Sequence, residues 1–206
     1  MKVSTHRGIS RNRACLVLFC FLRNTNGNSI SPFTDPQITN VQSAPCHRPD
    51  LGRKLPPESV DFIKKNCKMN PQVQIYVSDG LSNSAIDENI REILPSLMDG
   101  LKHRGIDTGT PFFVRFGRVP TMDVISEITG AEVNVVLLGE RPGLAAADSM
   151  SAYMAYKATV GMPESRRTVV SNIHKNGIQP VEAGAYLVEI IEKMLQTKSS
   201  GVDLVL

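Results

Sequence analysis

The sequence predicts an α/β fold built on an open, mostly parallel β-sheet with helices on both faces. Three apolar runs, 73–77, 112–116 and 133–138, have the length and composition of buried strands. Segments with apolar residues at helical spacing lie between and after them. Strands of this kind that alternate with helices are typical of a parallel sheet covered by two helical layers.

The two helices around the first strand are predicted from proline and from periodicity. A Pro-Pro-Glu segment at 56–58 begins a helix through about Asn66, because proline suits the first helical turn. The second helix carries apolar residues at helical spacing from Ile86 to Leu101. Pro95 lies inside it and should kink or divide it.

A short helix is predicted between the second and third strands. Thr121 is a residue type that caps helices, and it precedes a helical segment over 122–129. Gly130 follows and is suited to the left-handed conformation that ends many helices.

The last third of the chain predicts a helix, a strand and a final helix. The first helix runs through 145–156, so that Tyr153 and Tyr156 on it are interpreted as packing residues. A strand follows near 168–171, and Pro180 begins the final helix. The side chains predicted to face inward from that helix are Val181, Ala185, Val188 and Met194.

Each of the three strands ends in a turn of small and polar residues. The carboxyl ends of parallel strands meet at one edge of a sheet, where open α/β sheets bind ligands. We therefore expect the Asp79 turn, Val119 and Glu140 to cluster at that edge. The three turns are Ser78–Ser82, Gly117–Val119 and Gly139–Gly143.

Two of these turns allow both a functional and a structural interpretation. The amides and hydroxyls of Ser78–Ser82 could meet a polar ligand, or the segment could be a tight turn with Ser82 as a helix cap. Glu140 and Arg141 are favoured as ligand or subunit contacts over a surface ion pair, because they follow a strand end. No dinucleotide or P-loop glycine motif is present, which weakens both nucleotide-binding interpretations.

The segment from Asn172 to Gly177 nearly matches Asp-x-His-x-x-Gly, with which some cobalamin enzymes ligate cobalt through histidine. In that motif the aspartate holds the imidazole and raises its basicity. Asn172 is neutral and supplies no such charge, so His174 is predicted to be a polar loop or interface residue that does not bind the metal. No Ser/His/Asp or Cys/His pattern stands out, and no catalytic residue is predicted.

Charge and cysteine content restrict the class of protein. Residues 1–46 hold five basic side chains and one acidic, whereas residues 47–206 hold 18 basic and 19 acidic. A nearly neutral main segment gives little support for nucleic-acid binding. The four cysteines form no CxxC pair, which favours a reducing cytoplasm over a disulfide framework or a zinc site.

The first 46 residues predict an N-terminal arm that is disordered or atypical. The apolar run Ala14–Leu22 follows basic residues, as in a secretory signal, but Arg23 comes next and no small-residue cleavage pattern follows. The run is too short to span a bilayer, so no membrane association is expected. Residues 24–46 are rich in Asn, Ser, Thr and Pro, a composition typical of loops.

Five ordered motifs cover the chain from residue 47 onward: Arg48–Arg53, Val77–Ser82, Gly109–Arg115, Gly139–Gly143 and Ser171–His174. Together they make residues 47–206 resemble the small (light) subunit of ethanolamine ammonia-lyase. Residues 1–46 do not match, and the Arg-Ala-Gly-Pro-Arg stretch of the family is missing. The chain therefore looks like a shortened family member with an unrelated arm.

The resemblance implies a Rossmann-like, cobalamin-binding domain over residues 47–206. The family enzyme converts ethanolamine to acetaldehyde and ammonia with adenosylcobalamin, and its large (heavy) subunit, a TIM-type barrel, holds the substrate and most of the chemistry. The small subunit closes over the cobalamin at the subunit interface and is not active alone. The resemblance also implies a cytoplasmic location in a bacterial microcompartment of the ethanolamine-utilisation type.

Carried over by position, the family's cobalamin contacts fall on Val119, Glu140 and Val169. Composition alone would instead assign Val119 and Val169 to core packing. Two other functions stay open: an assembly module with no ligand of its own, and a nucleotide-binding α/β oxidoreductase. The missing phosphate-binding motifs count against the second.

Overall fold

The computed structural model describes residues 54–141 and 148–205, together with the backbone of residues 15–17. The helices in this part of the chain are α1 (Pro57–Asn66), α2 (Asn83–His103), α3 (Thr121–Thr129) and α4 (Pro180–Thr197). The strands are β1 (Cys15–Val17), β2 (Val73–Ser78), β3 (Phe112–Arg115), β4 (Val133–Gly139), β5 (Met150–Tyr156) and β6 (Thr168–Ile173).

The strands form one sheet in the order β1-β3-β2-β4-β5-β6. Strand β2 pairs in parallel with β3 and β4, while β5 is antiparallel to both β4 and β6. Consequently β2, β3, β4 and β6 share one direction and only β5, among these five, runs the other way. The predicted α/β class with an open, mostly parallel sheet is confirmed.

Helices cover both faces of the sheet, as predicted. On one face, α2 and α4 pack on each other and on β2, β4 and β5 through a large apolar cluster. On the other face, a smaller cluster joins α1 and α3 to aromatic and aliphatic side chains of β2, β3 and β4. We call these the α2/α4 face and the α1/α3 face.

Pro95 is predicted to kink or divide helix α2, and the helix is not divided, because it runs without a break from Asn83 to His103. A proline inside a helix removes one backbone hydrogen bond. The helix nevertheless continues because Leu94 and Leu97, on either side, are both buried in the α2/α4 cluster. Its start agrees with the sequence, since the Ser82 side chain accepts a hydrogen bond from the Ala85 amide at 3.2 Å.

Helix α3 differs from expectation only at its first residue. Thr121 is helical rather than the cap, and its hydroxyl oxygen accepts a hydrogen bond from the Arg118 amide at 3.1 Å. Gly130 ends the helix in the left-handed conformation with φ of 69°, as predicted. Helix α1 and the strands at 73, 112, 133 and 168 are confirmed within two residues at each end.

The helix predicted over 145–156 is wrong where the structure describes it, because residues 150–156 form β5. Ala and Met favour helices in isolation, but tertiary context overrides such local preferences. Here the segment lies between β4 and β6, and five of its seven residues are buried. Pairing on both sides and burial on both faces therefore decide its conformation.

Helix α4 forms as predicted, but the face that it buries differs from the predicted face. Val181 and Ala185 are exposed, whereas Val188 and Met194 are buried as expected. The helix approaches α2 at Gly184, where an added Cβ would lie 2.7 Å from Ser96 Cβ. That close approach sets which side of α4 faces the core.

Candidate functional site

The turns singled out from the sequence lie at one edge of the sheet. In the parallel register, Ser78 is level with Val114 and with Leu138, so β2, β3 and β4 end together. The end of β6 joins them through β5, since Met150 pairs with both Gly139 and Ile173. This carboxyl edge therefore carries Asp79, Val119, Glu140 and the His174 turn, and we call it the site edge.

The turns after β2 and β4 are packed backbone against backbone. The Leu81 amide donates a hydrogen bond to the Gly139 carbonyl at 3.0 Å. A Cβ on Gly139 would lie 2.6 Å from the Asp79 carbonyl oxygen and would also collide with the Ser82 carbonyl oxygen. Gly80 has φ of +53°, and a Cβ there would be 2.5 Å from the Gly139 oxygen. Glycine is therefore required at both positions, and the two turns form one rigid unit.

Asp79 connects this unit to the turn after β3. Its side chain is buried, and its carboxylate accepts a hydrogen bond from the Phe116 amide. Burial raises the pKa of Asp79 above its ordinary value, and the hydrogen bond from Phe116 offsets only part of that effect. The buried Asp79 carboxylate and the cap at Ser82 agree with the structural interpretation of this turn.

Val119 lies at the start of the segment that leads into α3. It is half-buried against the cluster of the α1/α3 face. Its neighbour Arg118 donates a hydrogen bond from Nη1 to the Gly80 carbonyl oxygen at 3.0 Å. Val119 is thus held at the site edge by a contact between the β3 and β2 turns.

Glu140 is the first residue after β4, and its side chain is half-buried. Its amide donates to the Ser149 carbonyl at 3.0 Å, and its Oε1 accepts a hydrogen bond from the Tyr153 hydroxyl at 3.1 Å. The pKa of Tyr153 is raised to about 12, mainly by burial and to a smaller extent by the negative charge of Glu140. The phenol therefore stays protonated near neutral pH and acts as the donor. Pro142 and Gly143 of this predicted turn lie outside the described residues.

Val169 lies directly opposite Tyr153 on the neighbouring strand β6. Cross-strand partners point to the same face of a sheet, and Tyr153 packs with the cluster of the α1/α3 face. Val169 is 43% exposed, so the core-packing alternative does not apply to it. Glu140, Tyr153 and Val169 form a continuous strip on this face, which we call the Glu-Tyr-Val strip.

His174 is buried in the turn after β6, and both of its ring nitrogens have local partners. Nε2 lies 2.9 Å from the Asn172 Oδ1, while Nδ1 accepts from the Asn176 amide at 3.4 Å. Asn172 adopts a left-handed backbone with φ of 64°. That His174 does not ligate cobalt stays a prediction.

Sequence reasoning missed a buried ion pair that connects α3 to the beginning of β6. Arg167 Nη1 and Nη2 donate to the two carboxylate oxygens of Asp123 at 2.8 and 3.0 Å, and both side chains are buried. Burial alone would lower the pKa of Arg167, but the hydrogen bonds and charge of Asp123 outweigh it and raise the pKa. The pair thus joins the helix that follows Val119 to the start of the strand that contains Val169.

Asn89 is a second residue that the sequence did not single out. Its amide nitrogen in α2 donates to the carbonyl of Asp148 at 2.7 Å and to that of Ala85 at the same distance. Asp148 begins the described approach to β5, so Asn89 anchors the chain as it returns to the site edge. A lone buried asparagine carries no sequence signal of this role.

Residues 54–141 and 148–205 contain no group of three or more His, Cys, Asp or Glu side chains placed to hold a metal ion. In the same residues no helix is long and apolar enough to cross a membrane.

Comparison with known proteins identifies the family. Residues 40–205 match the sequence model described as ethanolamine ammonia-lyase light chain (EutC). Proteins named ethanolamine ammonia-lyase small subunit from Clostridium tetani, Fusobacterium nucleatum and Listeria monocytogenes are 62%, 57% and 58% identical over 157 residues. The match covers 76% of this chain and 53–54% of each relative, so the chain spans about half their length. The chain belongs to the ethanolamine ammonia-lyase light chain family.

Proposed function

We propose that this chain is the cobalamin-binding small subunit of an adenosylcobalamin-dependent ethanolamine ammonia-lyase. In this proposal it closes over the cofactor at the interface with a large catalytic subunit, and the complex converts ethanolamine to acetaldehyde and ammonia. Family membership supports the proposal. The proposed location in a microcompartment rests on the resemblance alone.

The Glu-Tyr-Val strip is the observation that carries the proposal, because its chemistry fits cobalamin. The corrin ring of cobalamin has apolar faces and a rim of carboxamide side chains that donate N–H hydrogen bonds. Glu140 uses Oε1 for Tyr153, so its second oxygen can accept from a carboxamide. The exposed Val169, opposite Tyr153 on the same face, offers apolar contact.

Val119 would complete the site from the turn after β3, at the site edge. It is only half-buried and lies on the same α1/α3 face. When bound, adenosylcobalamin supplies a cobalt–carbon bond whose homolysis starts radical chemistry. The residues of this chain would bind the cofactor and orient it, since the described site edge contains no Ser/His/Asp or Cys/His arrangement.

A titration of the reconstituted two-subunit complex with adenosylcobalamin tests the proposal. Glu140→Ala should weaken the affinity by up to about tenfold, because one hydrogen bond to a largely buried ligand contributes about 0.5–1.5 kcal/mol. Glu189→Ala is the matched control, since Glu189 is exposed on α4 and away from the Glu-Tyr-Val strip. Equal affinities for the two variants would contradict the assignment of Glu140.

The exposed apolar surface of Val169 also favours a second function, a pure assembly module. In that case the strip would contact a partner protein and no small molecule. Val169→Asp would then weaken association with the large subunit in the absence of cobalamin, while Glu140→Ala would leave cobalamin affinity unchanged. Sedimentation of the two subunits, with and without cobalamin, distinguishes these outcomes.

A further inference from the structure

We propose that Tyr153 is a positioning residue that holds the Glu140 carboxylate in the orientation needed to accept a hydrogen bond from the cofactor. The inference rests on the proposed function and goes beyond the three contacts carried over from the family. The observation behind it is the 3.1 Å hydrogen bond from the Tyr153 hydroxyl to Glu140 Oε1.

The strands place Tyr153 where it can perform this role. It lies in the middle of β5, paired with Val136 of β4 on one side and Val169 of β6 on the other. Its ring packs against the buried cluster of the α1/α3 face, so its position is fixed by the sheet and not by a loop. The hydroxyl therefore gives Glu140 a rigid partner.

Glu140 needs such a partner because it lies outside the regular strand. It follows β4, and its side chain is half-buried. A glutamate side chain has several rotatable bonds, and ordering it when a ligand binds costs conformational entropy. A hydrogen bond that orders the side chain beforehand reduces that cost.

The same contact assigns different tasks to the two carboxylate oxygens. Oε1 accepts from a phenol that remains protonated near neutral pH, since the pKa of Tyr153 is raised to about 12. Oε2 is then the oxygen directed to an N–H donor of the ligand. Tyr153 contributes to affinity through Glu140 and need not touch the cofactor.

A double-mutant cycle in the reconstituted complex tests this inference. Adenosylcobalamin affinity is measured for the unmodified complex, Tyr153→Phe, Glu140→Ala and the double variant. Tyr153→Phe removes only the hydroxyl and keeps the packed ring, and we expect it to weaken affinity about two- to tenfold. In the Glu140→Ala background the same change should have no further effect, because the group it positions is gone.

Tyr186→Phe is the matched control, since Tyr186 is an exposed tyrosine on α4. Urea unfolding of each small-subunit variant separates a loss of affinity from a loss of folding. If Glu140→Ala weakens binding but Tyr153→Phe does not, or if the two effects add fully, the positioning role is wrong and the proposed function stands. If neither variant changes affinity, the proposed function and this inference both fail.

Discussion

At Gly139 two strand ends meet with no room for a side chain. A Cβ there would be 2.6 Å from the Asp79 carbonyl oxygen and would collide with that of Ser82, both of them backbone atoms. Backbone atoms in a paired turn have little freedom to move aside. The glycine is therefore needed for close approach, and this determines how the β2 and β4 turns build the site edge.

We expect Gly139→Ala to lower the free energy of unfolding by at least about 3 kcal/mol, the upper part of the range for overpacked sites. Gly105→Ala is a useful comparison, because an added Cβ meets nothing within 4 Å and only the φ of +68° opposes it. Urea unfolding of both variants measures the difference. A Gly139→Ala variant as stable as Gly105→Ala would contradict the backbone clash.

The buried Asp79 carboxyl makes stability depend on pH. Its pKa is raised in the folded protein by burial, so the folded state keeps its proton to higher pH than the unfolded state, whose aspartate has a pKa of about 3.9. Unfolding then releases a proton in the window above about pH 4, and the contribution of this group to stability falls as pH rises through it.

Asp79→Asn removes this titration while keeping an oxygen that can accept from the Phe116 amide. The unfolding free energy of the unmodified chain minus that of Asp79→Asn should decrease as pH rises from 4, and then level off above the folded pKa. Urea unfolding at a series of pH values measures it. A difference that is constant or that increases with pH would overturn the sign of the shift.

At the scale of elements, the pair of Arg167 and Asp123 fastens α3 to the start of β6 across the α1/α3 face. Both side chains are buried, and Arg167 also donates from Nε to the exposed carboxylate of Glu164 at 2.8 Å, so Asp123 is its buried partner and Glu164 a solvent-exposed one. Neighbouring Arg166 makes only a surface pair with Asp203 at 3.6 Å, with both side chains about half exposed. The two adjacent arginines thus have very different surroundings.

Removing one member of the buried pair should be costly. Asp123→Ala is expected to lower the unfolding free energy by about 3–5 kcal/mol, because it leaves a buried guanidinium without its main partner. Arg166→Ala should cost at most about 1 kcal/mol, as exposed pairs do. Thermal or urea unfolding measures both, and similar losses for the two variants would show that the Arg167 pair is not buried in solution.

The strands of the sheet show where local sequence patterns predict the structure and where they fail. The sequence predicts strands β2, β3, β4 and β6 because short runs enriched in β-branched and aromatic residues favour strands. The segment of β5 was predicted as a helix because its small and flexible residues favour one locally. Its partners β4 and β6 are separated from it in sequence, and their hydrogen bonds outweigh that preference.

At the scale of the whole molecule, the proposed role of this chain is to bind the cofactor while a large subunit supplies the catalytic groups. We therefore expect no ammonia release from ethanolamine and adenosylcobalamin when this chain is assayed without a large subunit. Adding the large subunit of an ethanolamine ammonia-lyase tests whether activity requires the complex. Ammonia release by the chain alone would place catalytic residues in it and contradict the proposal.

The sequence by itself determined the family, the α/β class and the turns that gather at the site edge, because these depend on periodicity and on motifs within short segments. The tertiary structure alone decided that Tyr153 meets Glu140, that Arg167 meets Asp123 and that α4 turns Gly184 toward α2. These contacts join residues on different elements, and their formation depends on strand order, direction and close approach. No local pattern encodes those quantities, since they are set by how the whole chain buries its apolar surface.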